Sequence, residues 1–252
     1  MKYSFVNNDK VEAFKGGRGR CILCREETIA KCGTKKVNHW AHKSIIKCDS
    51  WWENETEWHR EWKNKFPKEW QEIIHHSEIT GEKHIADIKT PNGLIIELQN
   101  SPISTDELNS REEFYKNLIW IVNGQAFKNS FHILHRLPNP KAEFVQDIAF
   151  MDSKKDDLGK LFYRYSENDE NATMVEVHSI REIQSEIDAN YIGHHIYDWV
   201  RPRSVWQKSK CRIFIDFGGI YLWELQVYDE AGLKCVRKYD KNNFIKRANG
   251  NQ

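Results

Sequence analysis

The sequence predicts an α+β protein in three parts: a small N-terminal β-rich module, a mixed central sheet flanked by helices, and a C-terminal β-rich extension. Three observations carry this reading. Between residues 51 and 135 the apolar periodicity runs helix, three strands, helix, strand, strand, the order of a small mixed α/β core. Before it, Cys21-Ile22-Leu23-Cys24 and His39-Trp40-Ala41-His42 place four zinc-type ligands within the first 48 residues. After Pro138-Asn139-Pro140 the chain turns polar and irregular, then gives three strand-like runs. The expected domains are 1–48, 49–137 and 138–252.

Taken in order, residues 3–14 read as a hairpin turned at Asn7-Asn8. Gly16-Gly17-Arg18-Gly19 is a flexible approach to Cys21; it lacks the Gly-Lys-Ser/Thr ending of a phosphate loop. The pattern C-x2-C-x14-H-x2-H then offers two thiolates and two imidazoles, Cys21, Cys24, His39 and His42. That is a closed tetrahedral set for a structural Zn²⁺, with no position left for water. Cys32 or Cys48 could replace one member. Residues 51–66 predict a helix ended by Pro67, with Trp51, Trp58, Trp62 and Phe66 as its core stripe. Glu55, His59 and Lys63 recur at i, i+4 and i+8 and share another face. Residues 70–79, 83–89 and 94–99 predict three strands, turned at Gly81 and at Pro91-Asn92-Gly93. Asp106–Trp120 predicts a helix that carries Arg111 and Tyr115 four apart, and Ile119–Val122 and Phe131–His135 predict strands. An amphipathic patch at 177–187 and strands within 211–239 complete the chain.

The stretch Ile85–Ser101 organises the rest. Alternation along a strand points Glu97 and Gln99 to one face, away from Ile96 and Leu98. Asp87, on the neighbouring strand of the hairpin, can bring a second carboxylate alongside. Two carboxylates a few ångströms apart repel unless a cation or a shared proton relieves them. Carboxylate and amide oxygens suit hard divalent ions such as Mg²⁺ or Mn²⁺.

Composition narrows the function classes. The net charge is +1 over 252 residues, but its distribution is uneven: residues 1–48 carry +7, 138–200 carry −7 and 201–252 carry +6. Basic ends around an acidic segment offer phosphate-contacting surfaces. With no apolar stretch of ~18 residues and no signal-peptide pattern, a soluble cytoplasmic protein is expected, with no membrane partner. In that setting the close cysteine pair points to metal rather than a disulfide.

In their order along the chain these pieces resemble the competence-protein CoiA-like family of the PD-(D/E)XK nuclease superfamily. The resemblance rests on Cys21-x-x-Cys24 with His39-Trp40-Ala41-His42, on Glu55-Thr56-x-x-His59-x-x-x-Lys63, on Ile85-Ala86-Asp87-Ile88, on Glu97-Leu98-Gln99-Asn100-Ser101 and on Ser110-Arg111-x-x-x-Tyr115. It covers residues 1–137 well and the remainder only in outline. It implies a restriction-endonuclease-like central sheet and metal-assisted phosphodiester hydrolysis, most naturally of DNA in competence, repair or defence. Asp87 and Glu97 would hold Mg²⁺ or Mn²⁺, and Glu55 would complete the shell or bind a second ion. Gln99 stands where many superfamily members carry the catalytic lysine, so Lys63 or Lys89 would supply the missing cation. His59 would position water or phosphate or act as base, and Arg111 and Tyr115 would contact phosphates. The competing reading is a non-catalytic nucleic-acid-binding protein, a degenerate nuclease fold with a zinc clip. Asp87, Glu97 and Gln99 together favour the enzyme, because binding alone needs no acids facing phosphates.

Overall fold

The computed structural model describes all residues except 45–47, 79, 169–173 and 251–252. Ile79, expected as the last residue of a core strand, lies outside the described residues. The chain forms two compact units. One is Met1–Asn123 with Ser204–Ile213 and the residues from Phe244 on; the other is Gly124–Arg203 with Phe214–Asn243.

The first unit begins with a five-stranded antiparallel sheet: β1 (Tyr3–Val6), β2 (Asp9–Glu12), β3 (Arg18–Arg20), β4 (Glu27–Lys31) and β5 (His39–His42), in the order β2-β1-β3-β4-β5. The β1–β2 turn is the expected one, with Asn7 and Asn8 both at positive φ, the backbone that a two-residue hairpin requires. The module closes on Trp40, fully buried, whose indole Nε1 donates to Val11 O at 2.9 Å. Trp40→Ala should therefore cost about 3–5 kcal/mol, read as a lowered denaturant midpoint.

The helix expected over 51–66 is shorter. α1 spans Glu57–Lys63, capped by Thr56, whose Oγ1 accepts from His59 N while its own N–H donates to His59 Nδ1 at 3.3 Å. This reciprocal cap fixes the start. Residues 51–56 stay outside the helix because Trp51 O and Glu53 bond to other elements. Of the apolar stripe, Trp62 and Phe66 are buried, while Trp51 leaves the helix and stacks on His84 at 3.3 Å.

Three strands follow: β6 (Gln71–His76), β7 (Lys83–Lys89) and β8 (Ile95–Gln99). α2 (Thr105–Tyr115), capped by Ser104, ends at Lys116 with φ +58. The chain then re-enters the sheet as β9 (Leu118–Asn123), parallel to β8 in the register Ile95↔Leu118 to Gln99↔Val122. The predicted helix over 106–120 stops short because Leu118, Ile119 and Trp120 are core strand residues. The sheet in this unit runs β9-β8-β7-β6, mixed in direction.

In the second unit the strands are β10 (Phe131–Arg136), β11 (Ile148–Phe150), β12 (Leu161–Arg164), β13 (His178–Ser179), β14 (His194–Trp199), β15 (Arg212–Asp216, of which the residues from Phe214 on belong to this unit), β16 (Tyr221–Val227) and β17 (Lys234–Asp240). They form an antiparallel sheet β10-β14-β17-β16-β15 and a small sheet β11-β12-β13. The amphipathic patch at 177–187 becomes a 3-10 turn at Ile180–Ile183 and α3 (Gln184–Ala189). Its apolar residues Ile180, Ile183 and Ile187 pack with Leu137, Phe162, Ile196 and Cys235. α4 (Lys241–Ala248) closes the described chain. The whole is α+β with few helices, as the sequence predicts. Among the described residues no helix is long and apolar enough to cross a membrane.

Candidate functional site

The site forms where three neighbouring strands leave their ladders. The β6–β7 register pairs Gln71 with Ile88 and Ile73 with Ala86, which sets Glu72 opposite Asp87. The β7–β8 register pairs Ile88 with Ile96, which sets Glu97 opposite Asp87 on its other side. Residues directly opposite point to one face, so three carboxylates lie in a row across the sheet. The backbone yields to them. Asp87 N–H donates to Glu97 Oε1 at 3.1 Å, and Leu98 N–H donates to Asp87 Oδ2 at 3.0 Å. Glu72 sits at φ +45, an uncommon conformation for a non-glycine residue and a point of stored strain.

The counter-charges come from the two helices. Lys63 on α1 is buried, with its Nζ 3.0 Å from each of Asp87 Oδ1, Glu55 Oε2 and Glu72 Oε1. Burial works against its charge, but the Asp87, Glu72 and Glu55 carboxylates overcome this and hold the ammonium well above its ordinary range. Arg111 on α2 is buried too: Nη1 lies 3.2 Å from Glu97 Oε2, and Nη2 donates to Trp51 O at 2.7 Å and to Glu107. Glu97 is pushed up to about 8, first by burial and then by Asp87, with Arg111 pulling back. A buried acid so placed holds its proton to higher pH than an exposed glutamate does.

The other predicted residues divide. Glu55 and His59 join the site. His59 Nε2 donates to Leu98 O at 3.1 Å and to Glu53 Oε2 at 3.0 Å, and Nδ1 faces Thr56. Both ring nitrogens are occupied, so a free base at His59 is not what this arrangement offers. Gln99 is turned aside: its Nε2 donates to Ser101 O at 3.1 Å and to Glu53 Oε1 at 3.4 Å. Lys89 Nζ lies 3.3 Å from His75 Nδ1, so of the two candidate lysines it is Lys63 that sits on Asp87. Arg111 and Tyr115 are not laid out for phosphate. Arg111 lies against Glu97, and Tyr115 is buried among Trp51, His75 and Phe114. The reason is shared: both face inward from α2 onto the sheet.

Sequence reasoning missed Glu72, Asp49 and Glu53. Asp49 accepts from His84 Nδ1 at 2.8 Å and from Ile85 N–H at 2.9 Å. Glu53 accepts from Asn100 N–H at 3.1 Å and from Ser101 N–H. The segment 49–53 is thus strapped to β7 at one end and to the end of β8 at the other. Asp87, Glu97, Lys63, Glu72, Glu55 and His59 line one cavity of about 50 Å³ with Asp49, Glu53 and Arg111.

The metal module resolves differently from its spacing. Cys21, Cys24, His42 and Cys48 bring their ligand atoms within 4.8 Å of one another. His39 stands apart, its Nδ1 2.9 Å from Val37 O. β5 explains the exchange: in a strand, His39 and His42 point to opposite faces, so H-x2-H cannot close on one ion. Cys48, already an alternative on sequence grounds, completes the set. Three thiols and one imidazole fit tetrahedral zinc. Cys48→Ser should lose the ion and His39→Ala keep it, measured as zinc per chain; removal of the metal should unfold the module, since ligand binding and folding are linked.

Two family models match the chain: competence protein CoiA, N-terminal domain, over residues 4–50, and competence protein CoiA, nuclease-like domain, over residues 77–196. Together they cover about two thirds of it. The chain belongs to the CoiA-like competence protein family. The nuclease-like match contains Asp87, Glu97, Gln99 and Arg111; α1 lies outside it, yet supplies Glu55, His59 and Lys63 to the same cavity. No curated protein and no solved structure matches the chain.

Proposed function

We propose that this CoiA-like protein is a divalent-metal-dependent nuclease that hydrolyses phosphodiester bonds in DNA. The observation that carries the reading is the row of Glu72, Asp87 and Glu97, set by register across three strands and faced by a buried lysine. A row of surface acids for solubility needs no buried counter-charge. The donor set of Asp87 and Glu97 fits Mg²⁺ or Mn²⁺: hard carboxylate oxygens, one of them unable to ionise easily until a cation arrives.

When bound, such an ion polarises the scissile phosphate and makes water a better nucleophile. This chain's own residues do the rest. Asp87 and Glu97 are the metal-holding pair. Lys63 supplies the positive charge that Gln99 cannot, and holds Asp87, Glu55 and Glu72 in place. Arg111 fixes the Glu97 carboxylate, and His59 fixes Glu53 against the end of β8. The Cys21/Cys24/His42/Cys48 set is proposed to hold structural Zn²⁺. The segmentation 1–48, 49–137 and 138–252 is proposed as zinc module, nuclease core and extension.

The test is cleavage of labelled DNA with Mg²⁺ or Mn²⁺. Wild type should cut, and Asp87→Asn and Glu97→Gln should each lose about 10³-fold or more while remaining folded. Wild-type rates in those two variants would overturn the assignment.

A further inference from the structure

The N-terminal module carries a second feature that the nuclease site does not use. An open groove of about 780 Å³ runs between the β1–β2 turn and β3, lined by Phe5, Asn7, Asn8, Arg18, Arg20 and Arg25. Its single acid is Glu27, whose Oε2 pairs with Lys43 Nζ at 2.8 Å and whose Oε1 lies 3.9 Å from Arg18 Nη1, so one carboxylate is shared between two cations.

Local structure explains why three guanidinium groups share this groove. β3 is Arg18-Gly19-Arg20, so alternation turns both arginines the same way. Gly19 faces β1: a Cβ there would stand 2.8 Å from Phe5 O and 2.9 Å from Ser4 Oγ. The glycine lets β3 press onto β1 while the two arginines stay exposed. Arg25 arrives from the metal knuckle. It follows Cys24, takes φ +66, and its N–H donates to Cys21 O at 3.1 Å. That bend lays its guanidinium over the Phe5 ring at 4.5 Å. The result is a cationic trough with one aromatic–guanidinium platform, the combination on which phosphates pair and bases stack.

We infer that this groove binds the sugar–phosphate backbone of a nucleic-acid strand, so that the metal module is a substrate-holding arm as well as a folded cap. The inference rests on the proposed nuclease reading only for its biological sense; the binding itself is separable. Charge complementarity selects the occupant, since the groove is basic within a segment of net charge +7.

The experiment measures anisotropy of fluorescently labelled oligonucleotides, single-stranded and duplex, on the zinc-loaded full chain without added Mg²⁺ or Mn²⁺, over a range of salt. Arg18→Gln/Arg20→Gln/Arg25→Gln should lower the log–log salt slope on the tighter-bound form by about 2, since each phosphate contact contributes about 0.7 to 0.9. Affinity should fall about tenfold or more at ~0.1 M salt. Arg→Lys at the same three positions should keep most of the slope, and Lys35→Gln/Lys36→Gln, exposed on the same module outside the groove, should leave it nearly unchanged. Zinc content shows that each variant is folded. An unchanged slope in the triple glutamine variant, an equal loss in the Lys35/Lys36 variant, or no oligonucleotide binding by wild type would overturn the inference. Cleavage of bis(p-nitrophenyl) phosphate separates the two readings: it needs the acids but not the groove. Its loss in Glu97→Gln with retained oligonucleotide binding would support both assignments independently.

Discussion

Lys63→Met should produce a protein that unfolds about 3–5 kcal/mol more easily and has no measurable cleavage activity. Methionine fits the volume but removes the ammonium that lies 3.0 Å from each of Asp87, Glu55 and Glu72. Breaking a buried ion cluster by removing one partner leaves uncompensated charge, and that is where the cost arises. The pH dependence gives a second signature. In wild type, burial raises the Glu72 acid, but Lys63, the N-terminal amine and the Lys2 and Tyr3 backbone N–H groups bring it down to about 2 from 4.5. A depressed acid contributes stability in full above its unfolded value and loses it as pH falls through the folded one. Acid therefore destabilises wild type through this group between about 4.5 and about 2. In Lys63→Met the main attraction is gone, and mild acid should instead recover stability by neutralising the stranded carboxylates. Chemical denaturation at a series of pH values measures both slopes; parallel profiles would contradict the account.

The second large effect concerns Glu97. Its acid stands at about 8 against an ordinary 4.5, raised by burial and by Asp87. The sign is opposite to that of Glu72: the neutral acid's contribution is present below 4.5 and lost as pH rises through about 8. Without a divalent ion, wild type should lose stability across that window, by up to a few kcal/mol, and Glu97→Gln should not. A cation binding there must displace the proton. Apparent Mg²⁺ or Mn²⁺ affinity should thus climb with pH up to about 8 and level off above it. Calorimetry in two buffers of different ionisation enthalpy should show close to one proton released per ion near pH 6–7 and little above pH 9. Binding without proton release at the lower pH would contradict the buried, neutral Glu97.

Much of this was legible in the sequence because period and turn chemistry are local. The hairpin at Asn7-Asn8 and the strand Lys83–Lys89 follow from alternation and turn residues alone. Alternation along the hairpin also places Asp87 alongside Glu97 from the sequence alone. Other features depend on information a linear pattern does not hold. Glu72 joins the row through the β6–β7 register, which pairs Gln71 with Ile88 and Ile73 with Ala86, a long-range alignment that a linear pattern does not hold. Asp49 and Glu53 flank Trp51 and Trp52 in a stretch whose apolar spacing mimics a helix; the Thr56-x-x-His59 cap was the available signal that the helix starts later. The exchange of His39 for Cys48 was readable in principle: once Trp40 is inward on a strand, His39 cannot share the face of His42. Arg111 and Tyr115 are the converse case: the resemblance implies phosphate contacts, while both side chains are buried against the sheet, Arg111 on Glu97.

The central claim is that Asp87 and Glu97, opposite each other on adjacent strands, share one divalent cation. Manganese titration of the zinc-loaded chain, followed by electron paramagnetic resonance, tests it most directly. The account predicts about one bound Mn²⁺ per chain in wild type and none at the same concentration in Asp87→Asn or Glu97→Gln. Wild-type Mn²⁺ binding in both variants would contradict it.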